Sequence, residues 1–314
     1  MLSRVADSLY WAARYLERVE NYARFIEVNL NLLLDLPKGF QQDWEPLLIV
    51  TGDRQLFFKQ YQTSHQDHVI RFLTFDQTNP NAILSSLFKA RENIREIREQ
   101  ISTEFWEQLN TLFLEVKAFQ KKTIVSTEDY FELFNTIINR CYTLTGLAVA
   151  SIERTSAWHF SQMGLYLERI DQLTRILDAK FFDVKPQSKS ISCSLNLLLW
   201  TAVLKSITAY DAYLRYHKEI HPKQVALFLI FNPDFPKSIR FGLAHAQRSL
   251  HAITGRPIGS AKFPVEKKMG KLKVSLDYLD IDEIFDYGFH QYLDKFQIRL
   301  KDLDQDIYQT FFNR

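Results

Sequence analysis

Two stretches of this sequence place glutamate and arginine at spacings that could do chemistry. In YLERVENYARFIE, from Tyr15, the residues Glu17, Glu20, Arg24 and Glu27 follow at steps of three, four and three. On a helix they share one face, and Arg18 lies about 100° round from Glu17. In YLERIDQLTRILD, from Tyr166, Glu168, Asp171, Arg175 and Asp178 repeat the spacing, with Arg169 in the place of Arg18. Two readings follow. The preferred one is that glutamate-arginine ladders fix the packing and register of two related helices as buried or half-buried ion pairs. The other is that the stripes converge into a charged cleft for an amino-acid-like or peptide ligand, arginine holding its carboxylate and glutamate its amine. Arg91, Arg95 and Arg98, at steps of four and three, are the expected partners of Glu17 or Glu168. Both glutamates are expected to be buried and within hydrogen-bonding reach of an arginine.

Other chemistries find less support. None of the eight histidines forms the Glu-x-x-His step of a di-iron bundle, and His217 and His221, four apart beside Pro222, read as a helix end. Cys141 and Cys193 are too few for a disulfide framework and lack paired zinc spacing. Gly-x-Gly-x-x-Gly, the Walker loop and the nucleophile elbow are absent. The sequence therefore implies no cofactor and no metal. The stretch from Gly255 to Lys273, with three glycines and five lysines, reads as a solvated connection, or more sharply as a mobile basic loop for an acidic partner.

The elements that must position these residues are helices. Apolar residues recur at Leu9, Leu16, Val19, Ala23, Ile26, Leu30 and Leu33, predicting a long amphipathic helix that ends near Pro37. Asn79-Pro80 suggests a cap before a helix carrying Ile83, Leu87, Ala90, Ile94, Ile97 and Ile101. Phe289, Tyr292, Phe296, Leu300, Leu303, Ile307 and Phe311 predict a final one. Strand alternation is scarce, and nine glycines leave few hairpin turns. Hydrophobic residues make up 46% and charged residues 24%, the proportions of a folding globular chain. A net charge of +2 gives no field to draw nucleic acid or anionic lipid. The opening residues lack a signal-peptide core and no run is long enough to span a membrane, so a cytoplasmic location is expected.

The sequence also repeats itself. The Glu-Arg segments lie at an offset of 151, Tyr15 to Tyr166. Trp44 and Leu47-Leu48 recur as Trp200 and Val203-Leu204, and Val69, Phe72, Leu73 and Phe75 as Val225, Phe228, Leu229 and Phe231, both at an offset of 156. Asn79-Pro80-Asn81, Ser85 and Arg95 recur as Asn232-Pro233-Asp234, Ser238 and Arg248 at 153. The prediction is an all-α bundle of two diverged, tandemly duplicated units, approximately 1–145 and 146–314, sharing one core within a single domain. QKKTIVSTEDY, from Gln120, and DVKPQSKSIS, from Asp183, read as loops.

MLSRVADSLYWAARYLERVENYAR, ARENIREIREQISTEFWEQLN from Ala90, and YLERIDQLTR closely resemble the alpha-E family, an all-α domain with a Glu-Arg motif, over essentially the whole chain. The resemblance implies a setting beside circularly permuted ATP-grasp proteins of peptide- or amide-ligase type, often with a transglutaminase-like protein nearby. The expected function is a non-catalytic helical partner or ligand-presenting protein of that system. The alternative is an enzyme that uses a Glu/Arg-lined cleft for acid-base chemistry on an amino-acid or peptide substrate.

Overall fold

A computed structural model describes residues 3–35, 43–183 and 193–313. Among them every regular element is helical. They divide into two compact units, each described by itself: residues 11–154, the N-terminal unit, and residues 155–314 with the first ten, the C-terminal unit.

The chain opens with α1 (Ser3–Asp35), whose residues from Trp11 onward belong to the N-terminal unit. There follow α2 (Glu45–Thr51), α3 (Arg54–Phe57), α4 (Gln66–Thr74), α5 (Ile83–Glu96), α6 (Thr103–Phe119) and α7 (Thr127–Ser151). The predicted apolar stripe of α1 is buried at Val19, Ala23, Ile26 and Leu30. Helix α6 packs against both α5 and α7. The C-terminal unit holds α8 (Ser156–Asp183), α9 (Cys193–Ser206), α10 (Tyr210–Tyr216), α11 (Pro222–Phe231), α12 (Ile239–Thr254), α13 (Pro264–Asp277), α14 (Ile281–Tyr287) and α15 (Phe289–Ile307), and closes on a π-helical turn at Tyr308–Phe312. Helix α8 is its axis, with α12 and α15 laid against it and α13 packed on both.

Four expectations about element boundaries are corrected. Asn79-Pro80 does not cap α5; Asn79 accepts from the Asn81 amide across a turn at 2.9 Å, and the helix begins after Ala82. The apolar period through Ile97 and Ile101 does not continue one helix. Helix α5 stops at Glu96, a 3₁₀ turn covers Arg98–Gln100, and the Ser102 hydroxyl caps α6 by accepting from the Phe105 amide at 3.3 Å. A strong new cap overrides continuity of the stripe. Gly255 to Lys273 is not one basic loop either, because from Pro264 it is α13. Proline at the first helical turn and Glu266 reaching back to the Phe263 amide start the helix, and Val265, Met269, Leu272 and Leu276 give it a buried face. The Gln120 stretch is a loop only as far as Ser126, whose capping box with Asp129 opens α7. The predicted end near Pro37 and the 184–192 part of the second loop lie outside the described residues.

Glu266 ties down the segment before it. Its carboxylate, 1% exposed, accepts from the Thr254 hydroxyl at 2.7 Å, the Ser260 hydroxyl at 3.2 Å, and the amides of Lys262 and Phe263 at 3.1 and 3.2 Å. The buried His251 ring lies 3.9 Å away. Burial alone would raise this carboxyl; the donated bonds and the histidine outweigh it and hold its pKa below the ordinary value of 4.5. A lowered folded pKa stabilises the fold above the unfolded value, and that stability is lost as pH falls through the folded one. Glu266→Gln should therefore melt below wild type near neutral pH by roughly 2 kcal/mol, with the gap closing below about pH 4. Melts of both proteins across that range check it.

The two units share local geometry at an offset of 156. The Asp53 amide donates to Leu48 O and the Ala209 amide to Leu204 O, at 3.0 and 2.8 Å. Gly52 (φ 77°) and Thr208 (φ 54°) hold the left-handed position of that turn. Phe57 stacks on Tyr61 and meets the edge of Phe72; Tyr213 stacks on His217 and meets the edge of Phe228. The buried positions Ile83, Leu87, Ala90 and Ile94 fall on Ile239, Leu243, Ala246 and Leu250. Within these helices the common register is 156, so the sequence matches of Ser85 with Ser238 and Arg95 with Arg248 are not positional equivalents.

Candidate functional site

Both Glu-Arg segments lie mid-helix, on α1 and α8, where no glycine or proline interrupts them. Their inner carboxylates are enclosed: Glu17 is 5% exposed and Glu168 fully buried. Each accepts from an amide one turn on, Asn21 Nδ2 at 3.5 Å and Gln172 Nε2 at 3.2 Å. The second acid of each motif pairs within its own helix: Glu20 with Arg24 at 3.4 Å, Asp171 with Arg175 at 2.9 Å. Charge pairs at this spacing are the ordinary helical geometry.

The outward arginines lock the motif to the Asn-Pro turn. Arg18 Nη1 donates to Asn81 Oδ1 at 2.8 Å, and Asn81 Nδ2 donates to Asp53 Oδ1 at 3.0 Å. Asp53, 5% exposed, also accepts from the Tyr22 hydroxyl at 3.3 Å and from Asn79 Nδ2 at 3.5 Å. In the C-terminal unit Arg169 Nη1 reaches Pro236 O at 3.2 Å. Arg24 Nη2 donates to the Tyr142 hydroxyl at 2.6 Å, which α7 supplies. Burial, then the nearby Glu20 carboxylate, raises the Tyr142 pKa.

The expectation that Arg91, Arg95 and Arg98 pair with Glu17 or Glu168 is corrected. Arg91 donates to Asn110 Oδ1 and Glu92 Oε1, both at 2.7 Å; Arg95 pairs with Glu92; Arg98 donates to Ile101 O at 2.9 Å. Local carboxylates and carbonyls satisfy these guanidiniums first. The break at Ile97 also removes Arg98 from the helix that carries the other two.

Sequence reasoning missed two residues that sit on the motif tyrosines. Lys89 Nζ lies 5.5 Å from the centre of the Tyr15 ring, whose face Arg18 also covers at 5.8 Å, and donates to Pro80 O at 2.8 Å. Burial, with Arg18 beside it, pulls the Lys89 pKa below the ordinary lysine value. At the 156 offset its counterpart is His245, 5.1 Å from the Tyr166 ring that Arg169 covers at 5.6 Å. Each unit thus places both the motif arginine and a base from the helix after the Asn-Pro turn against a motif tyrosine. The residues are dozens of positions apart, and only the helix periods together would have brought them into one frame. Among the described residues no group of three metal-ligating side chains forms; His217 stacks on Tyr213 and His221 faces Glu219. Cys141 is buried, and among the described residues no helix is long and apolar enough to cross a membrane.

A family model described as a predicted alpha-helical domain with a conserved ER motif matches residues 1–312. The chain belongs to the Alpha-E family. No curated protein matches it, and no solved structure does. The sequence holds three Glu-Arg pairs, Glu17-Arg18, Glu153-Arg154 and Glu168-Arg169, of which two, Glu17-Arg18 and Glu168-Arg169, lie in the repeated segments. Each of these two joins an enclosed carboxylate to an outward arginine that clamps the turn before the fifth or the twelfth helix.

Proposed function

We propose that this Alpha-E chain is a non-catalytic helical partner or ligand-presenting protein of an amide- or peptide-ligase system. Its partner is a circularly permuted ATP-grasp protein, with a transglutaminase-like protein as a second, and it works in the cytoplasm. The observation that carries the reading is the inward use of the motif: enclosed carboxylates and arginines bonded to backbone and amide groups are built to hold helices. The matched turns, ring contacts and motif bonds support an origin by duplication of one helical unit. Recognition then falls to outer faces, and α13 offers one. Its exposed stripe runs Lys267, Lys271, Val274 and Tyr278, the last 84% exposed, and mixes cations with apolar area that suit an acidic, partly apolar partner surface. The enzyme alternative would draw on Lys89, whose lowered pKa suits acid-base work, although its bond to Pro80 O holds the proton in place.

A specific contact needs at least ~1,000 Å², so the ligase should co-purify at roughly micromolar concentration. Wild type is expected to retain it and Lys267→Glu/Lys271→Glu to lose it while melting normally. Failure of the wild type to retain an ATP-grasp ligase encoded beside it would sink the proposal.

A further inference from the structure

We infer that the groove between α12 and α13 is a binding site for a small carboxylate with an apolar body, independently of the partner reading. The groove encloses about 380 Å³, within the range of small-ligand pockets. Three cations line it, Arg240, Arg248 and Lys273, against the one carboxylate of Asp277. Asp277 already engages Arg240, at 3.3 Å, and Lys273. Arg248 has no such partner among the described residues. Its Nη1 lies 3.5 Å from His245 Nε2, while His245 Nδ1 donates to Phe241 O at 3.0 Å, the tautomer that leaves Nε2 as acceptor. The rest of the guanidinium fork is free for a ligand.

Gln247 is the second observation. It is 6% exposed and lines the groove, yet its amide makes no side-chain hydrogen bond among the described residues. Neither amide atom is sealed from solvent, so the amide opens on the groove, where it can bond a ligand oxygen. A guanidinium fork and an amide lining one groove suit the oxygens of a carboxylate. Pro233 and Ile258 supply apolar wall for the body.

The N-terminal unit fills the corresponding positions with other residues. At the 156 offset Ala244 falls on Phe88, whose ring lies 6.2 Å from Phe113 of α6. Gln247 falls on Arg91 and Arg248 on Glu92, which bond to each other. There Phe88, 51% exposed, and a matched Arg91-Glu92 pair take these positions; in the C-terminal unit Ala244 and Arg248, unpaired among the described residues, take them.

Titration calorimetry of the full chain with 4-methylvalerate, its neutral amide, and inorganic phosphate tests this. The carboxylate should bind with Kd on the order of 1 mM, the amide and phosphate at least tenfold more weakly. Arg248→Gln should weaken carboxylate binding about tenfold, the loss of one charge-assisted contact. Ala244→Phe should abolish it, with unchanged circular dichroism showing that the fold survives; if that variant unfolds, Arg248→Gln alone decides. Carboxylate binding that survives Arg248→Gln, tighter binding of phosphate, or no binding of 4-methylvalerate overturns the inference.

Discussion

Gly164→Ala is expected to lower stability by about 3 kcal/mol or more, a fall in Tm of roughly 6–12 °C. A Cβ at Gly164 would stand 2.3 Å from the carbonyl oxygen and 3.1 Å from the carbonyl carbon of Tyr10. Both are backbone, and neither can turn aside as a side chain would. The two residues belong to the C-terminal unit, where Tyr10 is also fixed by its hydroxyl, which donates to Asp304 at 2.6 Å. The methyl must push the start of α1 from α8 or distort one of them. Gly146 is the internal control. It is exposed on α7 with nothing within 4 Å of its added Cβ, so Gly146→Ala should raise stability by about 0.5–1 kcal/mol through the unfolded chain. Thermal melts of the two variants should move in opposite directions.

The second large effect is at the motif. Glu168→Gln should cost about 3 kcal/mol, and Glu17→Gln a similar amount. Both carboxylates are enclosed, and donors arranged around a buried carboxylate are left facing an N–H₂ when one oxygen is replaced. Arg95→Gln, at a side chain 60% exposed and paired among the described residues only with Glu92, should change the Tm by less than about 1 °C, because exposed pairs contribute little. Unchanged melting of both glutamine variants would mean that the enclosed carboxylates do not hold the fold.

The all-α class and the long stripes of α1 and α15 were legible because their apolar residues keep helical period over many turns, and period survives without knowledge of the partner. The burial of Glu17 and Glu168 was legible too, from charges set beside an apolar stripe. Boundaries were not. Helix α13 was hidden because Gly270, its lysines and the two glycines before it read as loop, while Pro264 and Glu266 were strong start signals overlooked within it. The single Arg91-Arg95-Arg98 face failed because a serine cap at Ser102 ends the previous helix, and spacing alone does not show that. Lys89, His245 and the open space at Ala244 could not be read from the sequence. They arise where helices far apart in the chain meet, and the size of the opening depends on packing that no local pattern encodes.

The most direct test of the central reading is turnover. The purified chain, a circularly permuted ATP-grasp ligase as the proposed partner, and their mixture would each be given ATP, Mg²⁺ and a pool of amino acids, with amide-bond formation followed by mass spectrometry. The account predicts no product from the chain alone and more product from the mixture than from the ligase alone, an increase that Lys267→Glu/Lys271→Glu removes. Product formed by the chain alone and lost in Lys89→Met would contradict it and make this Alpha-E protein an enzyme.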